Sequence, residues 1–309
     1  MGTGDGQPDP GLAAIISERR QLTNVAYRLL GSLAEAEDAV QETYARWYAL
    51  TPAQRDAIES PGAWLTTVTS RICLDQLGSA RARRERYVGQ WIPEPLPGPA
   101  EWLSGGTGGP ADPADRITLD ESVSMAFLVV LESMTPAERV AFILHDVFGY
   151  PFAEIAGIVG RTPAACRQLA SSGRRRSRAA GPHRPATTAR QSAIVRDFRD
   201  AWQSSDIAAL VALLDPDAVI TSDGGGQATA LRHPIEGAEQ ISRFLAGIAA
   251  HAPDLTIVER TVNGQPGLIA QRGGTTVTVL AFSIDGEDGD RITRIWAIRN
   301  PDKLRAWTY

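Results

Sequence analysis

Cysteine is nearly absent: Cys73 and Cys166 are the two thiols in 309 residues. Two thiols make no disulfide framework, and two ligands do not by themselves close a zinc site. Both lie in apolar helical contexts and are read as buried free thiols. No apolar run approaches the ~20 residues that a membrane-spanning helix needs. The opening MGTGDGQPDP is acidic and polar, without the apolar segment of a secretory signal, so a cytoplasmic location is expected. A net charge of −5 does not mark the whole chain as a polyanion binder. Acid is missing locally, however. Between Ile155 and Arg196 there is no Asp or Glu, while Arg161, Arg167, Arg174, Arg175, Arg176, Arg178, Arg184 and Arg190 all occur. A solvated face mixes signs, whereas a stripe of one sign is the footprint of a polyanion partner.

The length predicts two or three domains, and a hydrophobic fraction of 43% allows each a core. The basic stretch belongs to a segment over 134–178 that reads as helix, turn and helix. Thr135, Pro136 and Glu138 form a capping-box start. Val140, Ile143, Leu144 and Val147 share a face at helical spacing. Gly149 and Gly160 end two short helices, and Thr162-Pro163 opens a third with Ala165 and Leu169 turned inward. Arg167, Ser171, Arg174, Arg175 and Arg178 fall on its outer side. Such a helix is suited to the major groove of DNA.

Upstream, residues 11–88 are helical in pattern. SLAEAEDAVQETYARWYAL buries Leu33, Ala36, Val40, Tyr44 and Trp47 and turns Glu35, Asp38 and Glu42 outward. Like charges on one face repel by a few tenths of a kcal/mol per pair, so the stripe is either plain solvation or a docking face for a basic partner. A second basic surface follows, at the end of the helix opened by Ser60-Pro61, with Arg81, Arg83, Arg84 and Arg86. Residues 89–116 are Pro- and Gly-rich and read as a linker. Trp91, Ile92, Leu96, Trp102 and Leu103 are too apolar for a free tether and predict that it docks. Residues 117–132 read as an amphipathic helix. Beyond a second linker near 179–189 come two helices, a strand, a helix and a run of strands. Hairpin signals stand at Asn263-Gly264, Gly273-Gly274 and 285–290, and the pattern is that of a separate α+β domain.

The order of acidic helix, basic helix, linker and basic helix-turn-helix resembles the bacterial sigma factors of the extracytoplasmic-function (ECF) group. LTNVAYRLLGSLAEAEDAVQETYARWYAL resembles sigma region 2, WLTTVTSRICLDQLGSARARRE its promoter-melting part, and 135–178 sigma region 4. WIPEPL (91–96), DGGG (223–226) and NPDKL (300–304) are similar to motifs of those members that carry a SnoaL-like C-terminal extension. Relatives commonly have Leu at Ile92, Lys at Gln227 and basic residues at Cys166 and Gln168, so no promoter sequence is carried over.

The resemblance implies a multidomain chain: two all-α domains (11–88 and 117–180) joined by the 89–116 linker, then a cone-shaped α+β domain over 188–309. It implies no covalent chemistry, cofactor or metal. The partners would be core RNA polymerase, through Glu37, Asp38, Gln41 and Glu42, and promoter DNA at its −10 and −35 elements. Arg71, Arg81, Arg83 and Arg84 would supply cations to melted DNA, with Trp64 or Tyr87 nearby. Arg167, Gln168 and Ser171 would read base edges, and Thr162, Arg174, Arg175 and Arg176 would take phosphates. Trp91, Pro93, Asp223, Gly224, Gly225, Gly226, Asn300, Pro301 and Asp302 would be regulatory, with a small-molecule ligand for the C-terminal domain. The alternative is a one-component DNA-binding regulator with a ligand-binding tail, which would need neither the acidic helix nor the second basic one. An enzyme fused to a DNA-binding module ranks third, with Asp223, His233 and Trp296 as its proton-transfer candidates. DGGG reads more simply as a turn with glycines at positive φ.

Overall fold

Glycine and cap residues divide residues 10–84 into four helices. A computed structural model describes residues 10–84, 87–98, 123–179, 187–285 and 290–307, with side chains from residue 18 onward except those of 80–84. The chain divides into two compact units, and among the described residues the first holds those up to 79 and 134–174 and the second the remainder.

In the first unit α1 (Pro10–Leu30) ends at Gly31, whose φ of +71° turns the chain, and Ser32 caps α2 (Leu33–Ala49). Leu22, Val25, Ala26, Leu29 and Leu30 of α1 are buried, as are Ala36, Ala39 and Val40 of α2. A short α3 (Pro52–Asp56) opens on a Thr51–Gln54 capping box. Then α4 (Pro61–Arg84) buries Leu65, Ile72, Cys73 and Leu77, and its Thr69 hydroxyl meets that of Thr43 at 2.9 Å.

Past α5 (Met125–Leu131), which belongs to the second unit, α6 (Pro136–Phe142) starts on the expected Thr135–Glu138 capping box and runs into a π-helical turn over Ile143–Val147. Next come α7 (Phe152–Val159), closed by Gly160 at φ +68°, and α8 (Pro163–Ala179). The buried side of α8 is Cys166, Ala170 and Gly173, so the expected inward pair of Ala165 and Leu169 is off by one position; both are half-buried flanks. Gly173 explains the shift, because a Cβ there would lie 2.8 Å from Phe142 Cβ. The gap is sized for glycine, and α8 rotates to present it. Gly173→Ala would gain about 1 kcal/mol of helix propensity but overpack the α6–α8 seam at a cost of about 1–3 kcal/mol. A net loss in chemical denaturation of the full chain is expected, and a raised midpoint would mean that the seam yields freely.

In the second unit α9 (Thr188–Gln203) and α10 (Ile207–Leu213) lead into β1 (Leu214–Asp223). A short β2 (Ile235–Glu236) precedes α11 (Ala238–His251), followed by β3 (Leu255–Val262), β4 (Gln265–Arg272), β5 (Thr275–Asp285) and β6 (Arg291–Ile298). The sheet order is β2-β1-β6-β5-β4-β3. The Asn263-Gly264 and Gly273-Gly274 turns fall where expected, with positive φ at all four residues. The third predicted turn lies at 286–289, outside the described residues, as do Trp102, Leu103 and the first part of the 117–132 helix. One departure from a plain antiparallel run is β1, which pairs β6 in parallel. Everything from β2 to β5 intervenes between them, giving the long connection that a parallel pair requires.

Alternation along β5 and β6 builds two cores, one on each face of this sheet. Leu280, Phe282, Ile295 and Ala297 join Ile194, Phe198, Trp202, Leu210, Ile241 and Leu245 of the helices. Val279, Ala281, Trp296 and Ile298 face the other way and pack with Met125 of α5, Ile92 and Trp307.

Candidate functional site

The acidic helix follows its predicted pattern in part: Asp38 and Glu42 are exposed and Ala36 and Val40 buried, whereas Glu35, Leu33, Tyr44 and Trp47 are half-buried. Ala36, Ala39, Val40 and Thr43 take the inner side of α2, leaving Glu37, Asp38, Gln41 and Glu42 exposed. Glu42 also forms an i,i+4 ion pair with exposed Arg46, a pairing too exposed to hold either charge from a partner.

The basic surfaces are less uniform than the sequence expectation. Arg167 and Gln168 are exposed on α8, with the Arg167 guanidinium 5.3 Å from the centre of the Phe152 ring. Arg175 and Arg176 are exposed as well, whereas Ser171 is half-buried. The Thr162 hydroxyl caps α8 by accepting the Ala165 N–H at 3.2 Å. Arg174 departs from its expected phosphate role: its Nε donates to Asp146 Oδ1 at 2.7 Å, and Nη2 donates to the same oxygen. Asp146 is buried, so this two-pronged ion pair commits the Arg174 guanidinium to the fold, and Arg174 is structural. In α4, Arg71 is exposed but donates from Nη2 to the Gly157 carbonyl at 2.8 Å. Tyr150 bridges the same elements, donating to Thr66 Oγ1 at 3.2 Å and accepting from Gln21 Nε2 at 3.5 Å. Arg81, Arg83 and Arg84 stand at the end of α4, and their side chains lie outside the described residues. Trp64 is half-buried, with Trp47 at 5.3 Å between ring centres.

The three C-terminal motifs meet around one carboxylate. Asp223, at the end of β1, is fully buried and pairs with Lys303 Nζ at 2.7 Å. Its Oδ1 accepts the Tyr87 hydroxyl at 2.7 Å and the Gly225 N–H at 3.0 Å, and its Oδ2 accepts the Ile92 N–H at 3.0 Å. Lys303 Nζ also donates to the Ile92 carbonyl and lies 4.1 Å from the Trp91 ring centre. Asn300 Nδ2 donates to the Tyr87 oxygen at 2.8 Å. Burial, and then Asp223 beside it, push the Tyr87 phenol above its usual range, so it stays a protonated donor.

Farther along, Leu96 and Asn263 exchange hydrogen bonds of 2.9 and 3.0 Å, and Asn263 Nδ2 donates to the Val123 carbonyl just before α5. Trp307 Nε1 donates to the Pro95 carbonyl at 2.9 Å. The segment 87–98 is therefore a bound strap, as its apolar residues predicted.

The DGGG glycines are there for two reasons. Gly225 and Gly226 have φ of +61° and +72°, whereas Gly224 has ordinary φ and sits where a Cβ would meet the Ala228 carbonyl oxygen at 2.2 Å. Gln227 keeps contact with Asp302, donating from Nε2 at 2.7 Å. Hydrogen bonds from Arg305 and then Gln227 hold the Asp302 carboxyl below its usual range.

Sequence reasoning missed Lys303, Asn263 and Trp307, and it assigned Tyr87 to melted DNA, whereas the hydroxyl is bound to Asp223. The signal available for Lys303 was that it is the only lysine among 31 Lys and Arg residues. The proton-transfer candidates do not converge. Asp223 is in this network, Trp296 is in the strap-side core, and His233 is exposed in a loop.

Both cysteines are free and buried, and burial pushes the Cys73 thiol above its usual range. Among the described residues no three His, Cys, Asp or Glu side chains gather to hold a metal, and no helix is long and apolar enough to cross a membrane.

Comparison with known protein families matches three segments of the chain. Sigma-70 region 2 matches residues 15–83, Sigma-70 region 4 residues 124–176, and the SnoaL-like domain residues 195–302. These features define a sigma factor with an appended α+β domain. The chain is 38% identical over 300 residues to the ECF RNA polymerase sigma factor SigJ of Mycobacterium tuberculosis, across 93% of this chain and 90% of that one. It is 36% identical over 307 residues to the probable ECF RNA polymerase sigma factor SigI of the same organism, across 97% and 98% of the two chains. The crystal structure of SigJ matches with a TM-score of 0.72 at 32% identity, over 96% of this chain and 98% of that one. The chain belongs to the ECF RNA polymerase sigma factors, and the family and fold expected from its motifs are borne out.

Proposed function

We propose that this sigma factor docks on core RNA polymerase through Glu37, Asp38, Gln41 and Glu42 and grips the promoter at two points. Arg71, Arg81, Arg83 and Arg84 serve the melted −10 element. Arg167, Gln168 and Ser171 read the −35 element, with Thr162, Arg175 and Arg176 on phosphates. The working segments are 11–88, 117–180 and 188–309, joined by the 89–116 linker. The chain acts in the cytoplasm and performs no covalent chemistry, with the C-terminal domain controlling the sigma segments. One observation carries the control reading: a single face of the C-terminal sheet holds both the 87–98 strap and α5, the first helix of the stretch matched as region 4.

The bond from Arg71 to Gly157 and the Tyr150 contacts tie α1 and α4 to the helix-turn-helix. Promoter elements named −10 and −35 are about 25 base pairs apart, roughly 85 Å at 3.4 Å per pair. Those contacts must therefore break before both elements are engaged, and the conformation described is a closed one. Run-off transcription with purified core polymerase tests both parts. The full chain is expected to direct initiation, and a chain ending at residue 185 is expected to change the output. DNA binding without any need for core enzyme would favour a one-component regulator. Identical output with and without the tail would remove the control function.

Arg167→Ala is expected to weaken promoter binding by about 1–3 kcal/mol and to relax base preference at one position. Footprinting checks it. Unchanged affinity and preference would leave Arg167 only its contact with Phe152.

A further inference from the structure

The helix-covered face of the C-terminal sheet encloses a cavity of about 330 Å³. Its wall is mainly apolar, with Phe244 and Ile248 from α11 and Leu255, Leu280 and Ala297 from the sheet. Two cations interrupt it, Arg272 and Arg299, and no Asp, Glu or His is among the lining residues. Arg272 is already matched by Asp254, 2.8 Å from its Nε and exposed. Arg299 has no such match: Nη1 donates to the Thr229 carbonyl, while Nε is buried and has no hydrogen-bond partner among the described residues. Burial, and then repulsion from Arg272, hold the Arg299 guanidinium below its usual range, the direction for a cation without a counter-charge.

We propose that this cavity binds an organic monoanion, an apolar carboxylic acid whose head group pairs with Arg299 and whose body lies against Phe244, Ile248 and Leu280. A guanidinium presents its donors as a planar fork that matches a carboxylate, and a dry wall with few convergent polar groups suits a compact apolar body. A phosphate ester would bring more negative charge than one unmatched arginine answers. The site lies one peptide from the strap. Ser222 and Arg299 line the cavity while Asp223 and Asn300, next to them in sequence, hold Tyr87, and the Arg299 N–H donates to the Asp223 carbonyl at 2.7 Å.

Calorimetric titration of the full chain, without polymerase or DNA, tests the proposal with 2-naphthoate and decanoate against their primary amides. Each acid is expected to bind at least tenfold more tightly than its amide. Arg299→Met should bring the acid down to the amide's affinity, and Ile248→Trp, which fills the cavity, should abolish binding of both. Equal affinities for acid and amide, acid binding unchanged in Arg299→Met, or no binding of either acid at millimolar concentration would overturn it. Should Arg299→Met fail to fold, the acid-to-amide ratio in the unmodified chain decides. A negative result removes the ligand and leaves the sigma-factor reading intact, because neither polymerase nor promoter takes part.

Discussion

Asp223→Ala is expected to destabilise the C-terminal unit by about 3–5 kcal/mol, the usual cost of removing one partner from a buried ion pair. The reason is what stays behind. Lys303 would keep its charge in a site where its side chain is 9% exposed, beside the Ile92 carbonyl and the faces of Trp91 and Tyr87. The Tyr87 hydroxyl and the Ile92 N–H would lose their acceptor in the same step. Desolvating the pair is itself costly, so Asp223→Leu combined with Lys303→Met is expected to recover much of the loss. Thermal and chemical denaturation of the full chain, followed by tryptophan emission, measures the stability, and proteolysis within 87–98 reports release of the strap. A single variant that loses less than about 1 kcal/mol, the scale of an exposed pair, would show that water reaches the pair and that the motifs hold the strap by other means. In transcription, the single variant is expected to mimic removal of the C-terminal domain, since both untie the strap.

Reversing Asp38 and Glu42 together to lysine should abolish stable association with core polymerase. The two positions are four residues apart on the exposed side of α2, and neither is among its buried residues. The new charges would repel Arg46 by a few tenths of a kcal/mol, far too little to unfold a helix packed through Ala36, Ala39 and Val40. Against a basic groove, two charges change sign and the net charge shifts by four units, and a loss of at least tenfold, about 1.4 kcal/mol, is expected. Co-purification with core enzyme measures it, and unchanged circular dichroism establishes that the fold survives. Normal co-purification would move the polymerase contact elsewhere on the chain.

Local chemistry was the legible part of this molecule. Thr135 and Glu138 announce a capping box three residues apart, and the Asn263-Gly264 and Gly273-Gly274 turns follow from the backbone angles they require. Along β5 and β6 burial is continuous, because alternate residues enter cores on opposite faces of the sheet. What pattern reading could not reach was pairing across long separations. Asp223 and Lys303 are eighty residues apart, and the motifs holding them mark importance without naming the bond between them. Arg174 has the same charge and spacing as its neighbours, and only Asp146, twenty-eight residues earlier, sets it apart. The facing side of α8 is off by one residue because helical spacing does not reveal that Gly173 is a gap cut for Phe142. A ligand for the C-terminal domain was expected from the resemblance, but its lining was not legible, because Arg272 ends β4 while Arg299 follows β6, and neither lies in a motif.

Lys303 is the sole lysine of the chain, its charge otherwise carried by arginine. The protein thus has one side-chain amine, placed under the strap. Acylating reagents and a lysine-specific endoproteinase have a single internal target, and both must wait for local opening to reach it. The rate at which that amine is acylated, or the backbone nicked after it, is therefore a clock for strap release. It can be read on the unmodified chain, with no probe attached, in the presence of polymerase, promoter or an organic acid.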